Sequence, residues 1–221
     1  MKGFFKIKLK EFKQLNIFFN DLKLDNNDIK LYGKTPFRKR KILYAQFKNN
    51  KLIVLKKTSF SQNVDDERRR ERRFDILKCN ESNLVLLEKF LKTLIDESRK
   101  KLPHIPSSFE VAFHFVQILA SKTGESNSPE GIHRDGFDLL FPCVVIERCN
   151  IRGGQSRMFN KKNDNFILIF NKTIQEGEAL VVDEKHYPHL YHDVTPIFLK
   201  NKNKIGYRNI IGVDINFDLK S

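Results

Sequence analysis

The sequence predicts an α+β chain: an N-terminal part with helices and a small β element, packed on an all-β second half of the sandwich or jelly-roll kind. Three observations carry that reading. Helical spacing of apolar residues is confined to the first hundred residues; after Pro106 short β-rich stretches follow one another with no helical period between them; and 221 residues with 40% hydrophobic content and 20 Phe suffice to fill one core. The chain is accordingly read as residues 1–105, an α/β extension packing on the core, and residues 106–221, the core itself.

Taken in order, residues 9–22 place Phe12, Leu15, Phe18, Phe19 and Leu22 at helical spacing and predict an amphipathic helix. Lys41 to Phe47 and Leu52 to Lys56 flank the polar segment Lys48-Asn49-Asn50-Lys51 and predict a hairpin. The charge run at residues 65–73 is read as a solvated helix or loop. Leu84, Leu87, Phe90, Leu91, Leu94 and Ile95 share one face of a second helix, with Ser82 or Asn80 as N-cap and Lys100-Lys101-Leu102-Pro103 as its end. Strands are expected over Phe109 to Leu119, Leu139 to Ile146, Phe166 to Phe170, Ala179 to Val182 and Ile205 to Phe217.

Composition narrows the setting. Lys and Arg outnumber Asp and Glu by 41 to 27, for a net charge of +14, a balance that attracts polyanions without specifying a fold. Cys79, Cys143 and Cys149 have no CxxC spacing, which argues against a disulfide framework or a structural zinc site. No apolar run reaches membrane-spanning length, so a soluble, cytoplasmic protein is expected.

His133 and Asp135 stand two residues apart after the turn-forming run Ser128-Pro129-Glu130-Gly131. On a strand, residues i and i+2 share a face, so both side chains can reach one metal ion if a second histidine arrives from elsewhere. Two His and one carboxylate with positions left open suit a non-haem Fe(II) oxygenase. Three histidines crowd into His186-Tyr187-Pro188-His189-Leu190-Tyr191-His192, from which the third ligand is expected. Downstream, Arg208 lies inside the apolar strand Ile205 to Ile211, where a buried guanidinium needs an anionic partner; a dicarboxylate held by its planar fork would supply one.

Four ordered motifs carry a family resemblance: Gly131-Ile132-His133-Arg134-Asp135-Gly136-Phe137-Asp138, Asn150 to Arg157, His192-Asp193-Val194-Thr195-Pro196-Ile197, and Tyr207-Arg208-Asn209. Together they resemble the Fe(II)/2-oxoglutarate-dependent dioxygenase family that includes bacterial L-isoleucine 4-hydroxylase, over about residues 110–217. The resemblance implies a double-stranded β-helix (jelly-roll, cupin-like) catalytic core. It implies His133, Asp135 and His192 as iron ligands, with His189 the alternative to His192, and Arg208 as partner of the C5 carboxylate of 2-oxoglutarate. It further implies Fe(II) as cofactor, 2-oxoglutarate and O2 as cosubstrates, and hydroxylation of an aliphatic C–H of a free L-amino acid with release of succinate and CO2.

Other readings stand beside these. The same chemistry on a peptide, tRNA or another polyanion is suggested by the charge and by Arg68 to Arg73, and a non-catalytic cupin-like binding module is the alternative of a different class. His104 and His114 are read as structural, Gly153-Gly154 as a turn or bulge at positive φ, Arg134 as pointing away from His133 and Asp135, and Gln117 and Arg157 as lesser pocket candidates.

Overall fold

A computed structural model describes residues 2–33, 37–57, 59–61, 71–125 and 128–218. It is mostly β-sheet with few helices. In chain order come β1 (Phe4–Lys8), a 3-10 helix (Lys13–Phe19), β2 (Lys23–Leu24), α1 (Asn27–Tyr32), β3 (Arg38–Lys48), β4 (Lys51–Val54), β5 (Phe60–Ser61), β6 (Glu71–Arg72) and α2 (Glu81–Arg99). The second half contributes β7 (Phe109–Leu119), β8 (Leu139–Cys149), β9 (Ile151–Gly153), β10 (Gln155–Lys162), β11 (Asn165–Thr173), β12 (Glu178–Val182), β13 (Leu190–Val194), β14 (Ile197–Leu199) and β15 (Tyr207–Asn216).

One large sheet runs β1-β12-β8-β15-β7-β3-β2, with β4 paired to β3. A three-stranded sheet, β11-β10-β13, and the pair β14-β9 form the opposing layer, giving a jelly-roll-like body. Register across the large sheet sorts its residues onto two faces. Leu43, Phe113 and Val213 lie in register on one face and pack with Leu87, Leu91 and Leu94 of α2. Ile42, Ala112 and Leu140 are buried on the other face, beneath Met158 and Leu190 of the opposing layer. Both faces are therefore dry, which is why β7 reads as an almost unbroken apolar run rather than a clean alternation. Each fully buried Leu or Phe contributes roughly 1.5–3 kcal/mol by removal from water.

Local chemistry accounts for the elements. Asn80 caps α2, its Oδ1 accepting from the Asn83 N–H at 2.9 Å. The hairpin of β3 and β4 turns through Asn49 and Asn50, both at positive φ (53° and 60°), as a two-residue turn matched to strand twist requires. Pro142 falls within β8, a strand paired on both sides. Having no N–H, it coincides with register shifts toward both neighbours, between Leu180 and Val182 of β12 and between Ile211 and Val213 of β15.

One expectation is corrected, and another falls largely outside the described residues. The helix over 9–22 shortens to the 3-10 segment Lys13–Phe19: Phe12 supplies no side-chain cap and Asp21 turns to φ 58°, although Leu15, Phe18 and Phe19 are buried as the spacing required. Of the charge run 65–73, only Glu71, Arg72 and Arg73 fall within the described residues, the first two as a short strand against β5. No helix among the described residues is long and apolar enough to cross a membrane.

Candidate metal centre

His192 lies in β13, whose one edge pairs with β10, placing it opposite Met158. Its other edge takes a single bridge: the His133 N–H donates to the His192 carbonyl at 3.0 Å, and the His192 N–H to the His133 carbonyl at 2.9 Å. This reciprocal pair brings the two imidazoles to 4.5 Å between ring centroids. Asp135 follows without regular strand geometry, in a segment flanked by Gly131 and Gly136 at φ 83° and 76°. The two-residue spacing thus works through a bridge and a tight bend, not through the pleat that the sequence suggested.

The ligand atoms converge. Nε2 of His133 is 3.5 Å from Asp135 Oδ1, and Nε2 of His192 is 3.3 Å from Asp135 Oδ2. Nδ1 of His133 sits 2.8 Å from the Gly131 carbonyl, which fixes the ring and leaves Nε2 directed inward. Nε2 of His192 is buried and has no hydrogen-bond partner among the described residues. Burial would raise the Asp135 carboxyl, but the His133 and His192 imidazoles beside it hold it well below the usual carboxylate range. Two nitrogens and an ionised carboxylate, with the Glu130 carboxylate 3.3 Å from His133 Nε2 beside them, suit Fe(II). His189 is exposed and outside this group; its carbonyl accepts from the Lys161 N–H.

Glu184 is the participant that sequence reasoning missed. Its carboxylate is fully buried and accepts from the Asp135 N–H (3.2 Å) and the Gly136 N–H (2.9 Å). Burial, with the Asp135 charge nearby, pushes this carboxyl up despite the opposing pull of His192 and Arg134. Arg134 turns away from the cluster and donates to the Glu184 carbonyl at 3.1 Å. An acidic residue after a strand gives no sequence signal for this role.

Arg208 lies in the wall of the same cavity. It is 1% exposed, and its Nε and Nη2 have no hydrogen-bond partner among the described residues. Burial depresses its pKa from the ordinary value. The neighbouring Arg148, in register on β8, is pushed down to about 10 by burial and then by Arg208, and donates to the Gly153 carbonyl. Gly153 and Gly154 adopt φ 78° and 68°; a Cβ on Gly153 would meet the Pro196 carbonyl at 2.3 Å, so glycine is required for that approach. Arg38, Arg40 and Arg72 line the cavity from one side, and Glu130 and Asp214 add acidic groups. Neither lesser candidate lines it: Gln117 donates to Asn209 on the other sheet face, and Arg157 forms an ion pair with Asp193 at 2.7 Å.

The jelly-roll-like fold carries a His/Asp/His group that could hold a metal ion. Residues 17–214 match the 2OG-Fe dioxygenase family, and the chain belongs to it. It is therefore a dioxygenase enzyme of a family that uses Fe(II), 2-oxoglutarate and O2. No curated protein matches the chain in sequence. Among solved structures it is similar to a bsmA homolog from Methylobium petroleophilum PM1 (TM-score 0.76, 19% identity, covering 97% of this chain and 88% of that one). It is also similar to IDO from Bacillus thuringiensis (0.71, 18%, 99% and 91%) and to the Fe(II)/α-ketoglutarate-dependent dioxygenase TqaL (0.64, 14%, 99% and 84%).

Proposed function

We propose that the protein hydroxylates an aliphatic carbon of a free L-amino acid, with His133, Asp135 and His192 holding Fe(II) and Arg208 binding the C5 carboxylate of 2-oxoglutarate. The observation that carries this reading is the buried Arg208 guanidinium, whose Nε and Nη2 have no hydrogen-bond partner among the described residues, in the wall of the cavity that holds the His133/Asp135/His192 group. A buried cation without a counter-ion is costly, and a dicarboxylate bound at the metal offsets that cost with its far carboxylate. Iron with 2-oxoglutarate and O2 supplies an oxidant that replaces C–H by C–OH, leaving succinate and CO2. The chain's own residues hold the site: Gly131 orients His133, Glu184 fixes the backbone of Asp135 and Gly136, and the opposing sheets exclude water.

A free amino acid is a zwitterion, and the cavity wall is charged to match. Arg38, Arg40 and Arg72 suit an α-carboxylate, and Glu130 and Asp214 suit an α-ammonium group. The motif likeness to the family that includes L-isoleucine 4-hydroxylase supports the same substrate class. In this reading residues 1–105 contribute substrate walls through Arg38, Arg40 and Arg72, while residues 106–221 carry the ligands. Succinate release with Fe(II) and 2-oxoglutarate, measured across the twenty amino acids, tests it. Stimulation by aliphatic side chains is expected. Iron-dependent 2-oxoglutarate consumption that no amino acid stimulates would sink the substrate class while leaving the metal chemistry standing.

A further inference from the structure

We propose that His104, Asp183 and His186 form a second divalent-metal site, separate from the His133/Asp135/His192 group and suited to Zn2+. The three come from two segments: His104 from the connection between α2 and β7, and Asp183 and His186 from the turn that leaves β12. Sequence alone does not group the three, since His104 lies 79 residues before Asp183 by their numbering.

The Asp183 carboxylate is fully buried, and among the described residues no Lys or Arg pairs with it. Its Oδ1 accepts from the His186 N–H at 3.2 Å and lies 3.0 Å from His186 Nδ1. Its Oδ2 faces His104 Nε2 at 3.1 Å yet has no hydrogen bond of good geometry. The two imidazoles sit 4.1 Å apart between centroids and are 35% and 48% exposed, so the cluster opens on solvent from a buried base. A buried carboxylate needs a cation or several donors, and here one oxygen has only the His104 imidazole facing it.

All three donor atoms already lie within 4.8 Å of one another. Tetrahedral Zn2+ with ligands at about 2.0–2.1 Å needs donors about 3.4 Å apart, so the two imidazole nitrogens, within 4.8 Å of each other, close by at most about 1.4 Å through side-chain rotation. Two nitrogens, one carboxylate oxygen and a water complete four-coordination on the open side. Once bound, the ion ties the His104 connection to the end of β12.

The test uses the full chain stripped of metal with a chelator and titrated with Zn2+ in a calorimeter. Wild type is expected to bind at two sites, and His186→Ala and His104→Ala each at one, or at least tenfold more weakly at the second. His133→Ala with Asp135→Ala removes the other group and is expected to leave the site that His186→Ala removes. If only the His133/Asp135/His192 reading fails, wild type binds one Zn2+ and His186→Ala binds none. Unchanged Zn2+ stoichiometry and affinity in both His104→Ala and His186→Ala overturn the proposal. A crystal soaked in Zn2+ decides independently of any variant: anomalous density among His104 Nε2, Asp183 and His186 Nδ1 supports the site, and density elsewhere alone refutes it.

Discussion

Replacing Arg208 by Met separates the role proposed for it from a structural one, because the two predict opposite signs. In the protein without cosubstrate, Arg208 is a cation 1% exposed with Nε and Nη2 unpartnered among the described residues, so it is a source of destabilisation. Removing a buried charge in favour of an apolar side chain of similar volume is commonly neutral or stabilising by about 1–4 kcal/mol, and the melting temperature of the free variant should hold or rise. Cosubstrate binding should move the other way. Truncating one partner of a buried, hydrogen-bonded charge pair costs about 2–5 kcal/mol, or roughly 30-fold to several thousand-fold in 2-oxoglutarate affinity.

Thermal unfolding with and without 2-oxoglutarate, under anaerobic conditions with Mn(II), reads both signs at once. At a concentration 100 times the wild-type Kd, ligand adds about 2.7 kcal/mol, and a variant 100-fold weaker gains only about 0.4 kcal/mol. For a chain of this size each kcal/mol moves the midpoint by about 2–4 °C, so wild type should shift by roughly 5–11 °C and Arg208→Met by about 1–2 °C. A variant that keeps the full shift refutes the carboxylate contact. One whose free form melts markedly lower shows that Arg208 is a structural cation.

Further outcomes follow from the same geometry. His133→Ala, Asp135→Ala and His192→Ala should each abolish iron-dependent 2-oxoglutarate turnover, while His189→Ala, an exposed change, should stay within about twofold; loss in His189→Ala with retention in His192→Ala would reverse the assignment. Glu184→Ala leaves the Asp135 and Gly136 N–H groups without their acceptor and should weaken metal binding by about 10- to 100-fold in a Co(II) titration, so unchanged affinity would show the support to be dispensable. His114, buried 2.9 Å from Asp214, has its pKa pushed below 6.5 by burial and then by Arg40 and Arg72, with Asp214 opposing. The unfolded chain thus takes up the proton more readily. Stability from the neutral imidazole is present above about pH 6.5 and is lost as pH falls toward the folded value, so His114→Asn should lose less melting temperature than wild type between pH 7.5 and 5.5; an equal or larger loss in the variant would exclude this cause.

How much of this was legible in the sequence depended on where each residue's partners lie. β7, β12 and β15 announce themselves as apolar β-rich stretches because both faces of the large sheet are covered, and the cap of α2 is local to its own turn. β1 does not, because Phe4–Lys8 is short, has two lysines among its five residues, and pairs only with β12, 170 residues or more away. β13 carries His192 and Asp193 inside a strand; such polar residues are buried there only because His133 and Arg157 meet them, and neither partner is visible by spacing. The motifs of the candidate site were legible as residue types in order. The bridge that unites His133 with His192, and the carboxylate of Glu184 behind Asp135, were not, since both are long-range contacts between ordinary residues.

That distinction bears on how the site is built. Asp135 has no strand ladder to hold it, yet its segment is tied at three points: the reciprocal bridge at His133, the two N–H groups received by Glu184, and Asp138, which accepts from the Phe217 N–H at 2.7 Å and pairs with Lys185 at 3.3 Å. The anchors come from β13, from the turn after β12, which supplies both Glu184 and Lys185, and from Phe217, the residue following β15. The segment's conformation is therefore set by the fold before any ion arrives, so metal binding need not supply the entropy of ordering a loop. Two buried groups in the wall of one cavity, the Nε2 of His192 and the Nε and Nη2 of Arg208, lack a hydrogen bond among the described residues. On the function proposed above, those are the groups that a metal ion and the far carboxylate of a dianion satisfy.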